Sequence, residues 1–316
     1  MKERVHLEFS AFLEASTGGL ITQENIQQVR QFTLQSIPSL QLDSRVSMEE
    51  RFISGPEGAP NIRLHIFKPS NQAKPLPAML YIFGGGLITG NLEMNDAYCQ
   101  EYALAFNCIV VAVEYRLAPE HPYPAGVEDC YAALLWLANN EKELQIDLNR
   151  LVVAGGSAGG NLTAAVSLMA RDRKGPKISF QAPVCPMLDN TNSLPSVAEY
   201  ENEFLWSGQQ NKLAWEMYLG ANFSQPAPAY ASPLHADDFT GLPPTYTYVG
   251  ELDVFRDETI EYVKKLTKAR VPVEFHLYPG VYHGAELVPV SGGYRERIQQ
   301  NYMDALNRAL NPSSFT

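Results

Sequence analysis

Among the 316 residues, the arrangement that points most directly to chemistry is Ala154-Gly155-Gly156-Ser157-Ala158-Gly159-Gly160, set immediately behind the apolar run Leu151-Val152-Val153. A serine hydroxyl is a poor nucleophile unless it is held exposed and given a base. Gly155-x-Ser157-x-Gly159 between a strand and a helix does the first, because the chain doubles back where a Cβ on either side would clash. The helix N-terminus behind Ser157 would offer N–H groups and a positive dipole end to a developing oxyanion. Taken alone, the run also fits an idle strand–helix connection or a phosphate-binding loop. The rest of the chain separates these readings.

A nucleophilic serine needs a base, an acid to orient that base, and donors for the oxyanion. In a strand–elbow–helix arrangement the acid and the histidine follow the serine, each just past a strand end. The apolar Thr245–Val249 leads into Gly250-Glu251-Leu252-Asp253, which makes Asp253 the candidate acid and Glu251 its rival. Asp257 and Glu258 fit better as acidic residues in the first turn of the next helix. Val273–Tyr278 leads into Pro279-Gly280-Val281-Tyr282-His283-Gly284, so His283 lies in a glycine-flanked loop as the candidate base. His276 inside the strand, and His121 and His235 in Pro-bounded turns, suit structural roles. Oxyanion donors are expected from Phe83-Gly84-Gly85-Gly86-Leu87, where three successive glycines let the backbone approach a substrate. The candidates are the N–H groups of Gly85 and Gly86, together with that of Ala158. A phosphate loop would need a lysine and a Ser/Thr opening a helix, and this segment has neither.

Elements that can position these groups are legible around them. Short apolar, β-branched runs predict strands at Ile62–Phe67, Ala78–Phe83, Cys108–Tyr115, Leu151–Ala154, Ile178–Val184, Thr245–Val249 and Val273–Tyr278. Helical patterns lie at Asp96–Phe106, Val127–Asn139, Asn161–Arg171, Asp257–Ala269 and Tyr294–Ala309. Their alternation from Leu80 onward predicts an α/β fold with a mostly parallel sheet covered on both faces. Ligands of such sheets bind beyond the carboxyl ends of the strands.

Two regions break the alternation. Residues 1 to about 50 are amphipathic and helical in pattern, without strand character. From about Thr191 to Phe223 the chain is rich in aromatics: Tyr200, Phe204, Trp206, Trp215, Tyr218 and Phe223. Such an insertion serves as extra core in many folds. Its entry after Ile178–Val184, on the ligand side, favours a cap built from both regions. The expected division is cap at 1–50 and 191–224, and core at 51–190 and 225–316. Phe204, Trp206, Trp215 and Tyr218 are the candidates to line a substrate pocket.

Composition narrows the partners. At 45% hydrophobic and 19% charged residues the chain reads as an ordinary soluble globular protein. A net charge of −11 and a pI near 5.1 argue against nucleic acid or an anionic membrane surface. The N-terminus lacks a signal-peptide apolar stretch, and no run approaches the roughly 18 apolar residues of a membrane span. A cytoplasmic location is expected. Cys99, Cys108, Cys130 and Cys185 form no CxxC pair and read as buried free thiols of a reducing compartment. The six histidines form no ligand-spaced cluster, so no metal site is expected.

The elbow Gly155-Gly156-Ser157-Ala158-Gly159-Gly160-Asn161, the glycine triplet, the segment Tyr115–Ala125, Asp253 with Arg256-Asp257-Glu258, and Tyr278-Pro279-Gly280-x-x-His283-Gly284 occur in one order. As a set they resemble the hormone-sensitive-lipase-like branch of the α/β-hydrolase esterases, from about residue 60 to the end. The resemblance implies an α/β-hydrolase fold with a two-part helical cap and a triad of Ser157, His283 and Asp253. It also implies no cofactor, and hydrolysis of small- to medium-acyl carboxylic esters through an acyl-enzyme. It assigns Tyr115–Ala125 a structural role and leaves a homodimer open, since dimers are common among similar esterases. Phe83 departs from the family's usual histidine, whose loss is expected to loosen the oxyanion loop. Gly156 stands where Asp or Thr is usual, and Val254 where Pro is. Two other classes share this scaffold: non-catalytic ligand-binding proteins, which lack the histidine that His283 supplies here, and serine amidases or peptidases.

Overall fold

The computed structural model describes residues 2–15, 19–70, 74–220, 226–285, 288 and 292–312. Its frame is one sheet of β1 (Val46–Ile53), β2 (Ile62–Pro69), β3 (Leu76–Ile82), β4 (Ile109–Glu114), β5 (Ile146–Gly156), β6 (Phe180–Val184), β7 (Thr245–Gly250) and β8 (Val273–Tyr278). The spatial order is β1-β2-β4-β3-β5-β6-β7-β8. β2 is antiparallel to both β1 and β4, and every other pairing is parallel. The inner strands are apolar because both faces are covered: Ile109–Val113 and Leu151–Ala154 are buried without a break.

Winding reverses at β3. The connection from β3 to β4 runs through α3 (Asp96–Phe106), and the one from β4 to β5 returns through α4 (Ala125–Asn139) and the short α5 (Glu141–Leu144). Right-handed crossovers in opposite directions put α3 and α4 on opposite faces. α6 (Ala158–Asp172) packs beside α4, α9 (Arg256–Lys268) covers β7 and β8, and α10 (Gly293–Leu310) joins α3. The crevice at such a reversal, outside the carboxyl ends, is where ligands bind in open α/β sheets. The loops after β3, β5, β7 and β8 all emerge at that edge.

The seven expected strands and five expected helices are present, with shifts at their ends. One strand was not expected: β1 lies partly within residues 1–50, so the sheet begins at Val46 and not at residue 51. It is an edge strand whose only buried residues are Val46 and Ile53. Its charged middle pairs with β2, Glu49 with Lys68 at 2.9 Å and Glu50 with Arg63 at 2.6 Å. Composition of that kind carries little strand character. Upstream lie α1 (Leu7–Ala15) and α2 (Ile26–Gln35), and the aromatic insertion contains α7 (Pro195–Glu199) and α8 (Gly208–Leu219). Phe223 lies outside the described residues. No described helix is long and apolar enough to cross a membrane.

Candidate active site

β5 ends at Gly156 and α6 begins at Ala158, so Ser157 alone makes the turn, at φ 58° and ψ −121°. An L-residue there carries about 1–3 kcal/mol of strain that its surroundings must offset. They do so through the backbone: the Ser157 N–H donates to the Val184 carbonyl at 2.9 Å, and its carbonyl accepts from Asn161 at 3.0 Å and Met187 at 3.2 Å. The helix packs so closely on β3 that a Cβ at Gly159 would lie 2.0 Å from the Ile82 carbonyl oxygen. At Gly156 a Cβ would meet only Val184, a methyl at 3.4 Å and the carbonyl oxygen at 3.9 Å, so the site has room for a side chain.

Asp253 follows β7 and is buried. Its Oδ1 accepts the Phe255 N–H at 2.8 Å, and its Oδ2 faces His283 Nδ1 at 2.8 Å. His283 Nε2 lies 2.9 Å from Ser157 Oγ. With Nδ1–H donating to the carboxylate, Nε2 is the acceptor for the serine O–H. Phe255 meets the imidazole edge-on, with ring centres 4.8 Å apart. Cys185, just past β6, completes the one cluster of metal-ligating side chains among the described residues: its Sγ and the nearest Asp253 and His283 ligand atoms lie within 4.8 Å of one another. All four cysteines are buried, and none is in a disulfide among the described residues.

The rival acids are engaged elsewhere. Glu251 accepts from Arg4 at 2.7 Å and from the Gly280 N–H at 3.1 Å, and these bonds hold its carboxyl below the usual range. Asp257 accepts from Ser196 N–H and Arg256. Glu258 stands in the first turn of α9 as expected, but it is not exposed. It is buried under the loop after β6, where it accepts the Leu188 N–H at 2.6 Å, and burial with Asp189 nearby pushes its carboxyl well above the usual range. His235 is paired with Asp189 and His276 with Glu274, while His121 is exposed.

The glycine loop after β3 has φ of +125° at Gly85 and +62° at Gly86. Among the described residues the N–H groups of Gly85, Gly86 and Ala158 donate to no protein acceptor. The expected loosening at Phe83 meets a brace that sequence reasoning missed. Phe83 stacks on Tyr115 at 4.4 Å between ring centres, and the Tyr115 O–H donates to the Phe83 carbonyl at 2.9 Å. Tyr115 was read only as part of a structural segment, and nothing in its own neighbourhood along the chain points to Phe83.

The four candidate aromatics of the insertion divide into two pairs. The Trp206 indole lies across Gly86, where a Cβ would sit 2.1 Å from its Cη2, and its ring centre is 6.5 Å from that of His283. Phe204 stacks on Tyr282 at 5.6 Å, next to His283 in the chain. Trp215 and Tyr218 do not join them: three residues apart on α8, they share one helix face and are buried in the core.

A sheet that reverses its winding at β3, with a strained serine after the central strand and a histidine and an acid after the last two, defines an α/β-hydrolase-fold protein. Comparison agrees. A family model described as the α/β-hydrolase fold matches residues 79–287, and the chain belongs to that family, in its hormone-sensitive-lipase-like branch. It is similar to "Carboxylesterase NlhH" of Mycobacterium tuberculosis, 37% identical over 285 residues, covering 88% of this chain and 86% of the relative. "Esterase LipI" of the same organism is 36% identical over 272 residues, covering 86% and 85%. Among solved structures, "Bacterial Heroin Esterase" superposes with a TM-score of 0.92 at 36% identity, covering 98% of this chain and 99% of that one.

Proposed function

We propose that this protein hydrolyses carboxylic esters through Ser157, His283 and Asp253. That it is an ester-hydrolysing enzyme follows from the family and from relatives named esterases and carboxylesterases. The residue assignment rests chiefly on one observation: Ser157, at a strained elbow, is joined to a buried carboxylate through both nitrogens of His283, at 2.9 and 2.8 Å.

In this reading His283 Nε2 takes the Ser157 proton as Oγ attacks the ester carbonyl. Asp253 keeps the imidazole in the required tautomer and stabilises its charged form. The N–H groups of Gly85, Gly86 and Ala158 receive the tetrahedral oxyanion. His283 then passes the proton to the leaving alcohol, an acyl-enzyme remains, and water activated by the same histidine releases the acid. The α1–α2 region and the 191–224 insertion form the cap. Phe204 and Trp206 are its substrate-facing aromatics, and an indole laid across Gly86 limits the site to small and medium acyl groups. The acidic composition and the buried cysteines outside any disulfide fit a cytoplasmic enzyme acting on small-molecule esters.

A Ser157→Ala variant tests the assignment with p-nitrophenyl acetate and butyrate. The expected loss is about 10⁴–10⁶-fold in kcat, and turnover within tenfold of wild type would overturn it. Matching p-nitroanilides, assayed alongside, are expected to turn over far more slowly; the reverse would favour an amidase.

A further inference from the structure

The N-terminal segment touches the loops that carry Asp253, His283 and the glycine triplet. Arg4 donates to Glu251 beside the acid loop, the His6 N–H donates to the Gly280 carbonyl in the histidine loop at 2.9 Å, and Tyr282 O–H donates to the Phe9 carbonyl at 3.2 Å. Ile21 exchanges two hydrogen bonds with Gln210 of α8. These contacts dock the segment. One contact does something more specific. Arg30 of α2 donates Nε–H to the Ile88 carbonyl at 2.8 Å and Nη2–H to the Ala118 carbonyl at 2.6 Å, while Glu120 pairs with the guanidinium at 2.9 Å.

Ile88 is two residues beyond Gly86. The turn it closes has positive φ at Gly85, Gly86 and Leu87; the glycines adopt it without preference and Leu87 adopts it at a cost, so the backbone alone does not hold the turn. Its shape depends on what its carbonyls accept. The Gly85 carbonyl takes Ile88 N–H at 3.1 Å, Thr89 N–H at 2.8 Å and the Thr89 hydroxyl at 2.9 Å, and the Leu87 carbonyl takes Ala118 N–H at 3.1 Å. The Ile88 carbonyl is held by a charged side chain from a different part of the chain, and charge-assisted bonds are the stronger kind. Ala118, which holds Leu87, is itself held by the same guanidinium.

We infer that Arg30 is a positioning residue for the oxyanion donors: by fixing the carbonyls of Ile88 and Ala118 it keeps the Gly85 and Gly86 N–H groups available to the reacting carbonyl. The inference rests on the ester-hydrolase reading of this site. It makes the geometry of the hole depend on docking of α2.

Three variants test it: Arg30→Met, Arg30→Lys and Glu120→Gln. Displacing donors without deleting them should cost less than the roughly 10²–10³-fold of losing one outright. The expected result for Arg30→Met is therefore a fall in kcat of about 10-fold or more with KM within about twofold. Arg30→Lys, which keeps the charge on a single donor nitrogen in place of the two that reach Ile88 and Ala118, should recover part of the loss. Glu120→Gln breaks the ion pair and keeps the carbonyl bonds, so kcat should stay within about twofold. Amide hydrogen exchange supplies a readout independent of turnover: Ile88 and Thr89 should exchange about tenfold faster in Arg30→Met. Unchanged kcat and exchange in that variant would overturn the inference. So would a loss in Glu120→Gln equal to that in Arg30→Met, since the ion pair alone would then matter. If Arg30→Met fails to fold, the Lys and Gln variants carry the same contrast. A wild-type enzyme without Ser157-dependent turnover would defeat the ester reading, and the exchange rates would still decide the role of Arg30.

Discussion

The elbow and the oxyanion loop stand side by side at the carboxyl edge, yet they are held in place by different means. The elbow is fixed from within the sheet: Ser157 N–H bonds to β6, its carbonyl accepts from α6 and from the loop after β6, and Gly159 lets α6 pack on β3. The glycine loop, beyond its own bonds from Ile88 and Thr89 to the Gly85 carbonyl, is fixed from outside, by Tyr115 on Phe83, Ala118 on Leu87 and Arg30 on Ile88. A nucleophile position intrinsic to the core survives changes on the periphery. A position assembled from distant residues does not, and in the mechanism proposed above the rate could be tuned there without touching Ser157, His283 or Asp253.

That contrast can be broken in graded ways. The largest effect after loss of Ser157 is expected for Gly86→Ala. Its Cβ would run into Trp206 at a φ that favours glycine, displacing a donor, and the fall in kcat should reach about 10²–10³-fold. Near-normal kinetics would remove Gly86 from the hole. The two tryptophans should part next. Trp215→Ala is expected to destabilise by about 3–5 kcal/mol in denaturant melts. Trp206→Ala should leave stability closer to wild type and instead raise kcat/KM for bulky over acetyl esters about tenfold, a difference of about 1.4 kcal/mol. Matching effects at both positions would erase the distinction between pocket and core. The smallest change is Tyr115→Phe, which keeps the stack on Phe83 and removes one hydrogen bond worth about 1 kcal/mol. A fall of a few-fold in kcat is expected, and none would show that the stack alone braces the loop.

Legibility follows the same division. Ser157, Asp253, His283 and the glycine triplet were readable because each sits in a short run just past an apolar strand, where local chemistry dictates the turn. Most of the sheet was readable for the same reason, as buried strands are apolar throughout. β1 was not, because an edge strand exposes the charges that β2 pairs with. The place of Glu258 in the first turn of α9 was legible, but its burial was not, because that comes from the loop after β6, seventy residues away from it in the chain. Tyr115 and Arg30 were invisible as braces, since a side-chain bond to a remote carbonyl leaves no periodic trace. Among the candidate aromatics of the insertion, Trp215 and Tyr218 carry a helical three-residue spacing that marks a core face, and Phe204 and Trp206 fall in the irregular stretch before α8.

The most direct test of Ser157 as a nucleophile activated by His283 is labelling with diisopropyl fluorophosphate followed by peptide mass spectrometry. A single stoichiometric adduct on Ser157 is expected, formed far more slowly in His283→Ala. An unmodified Ser157, or labelling that does not depend on His283, would contradict the assignment.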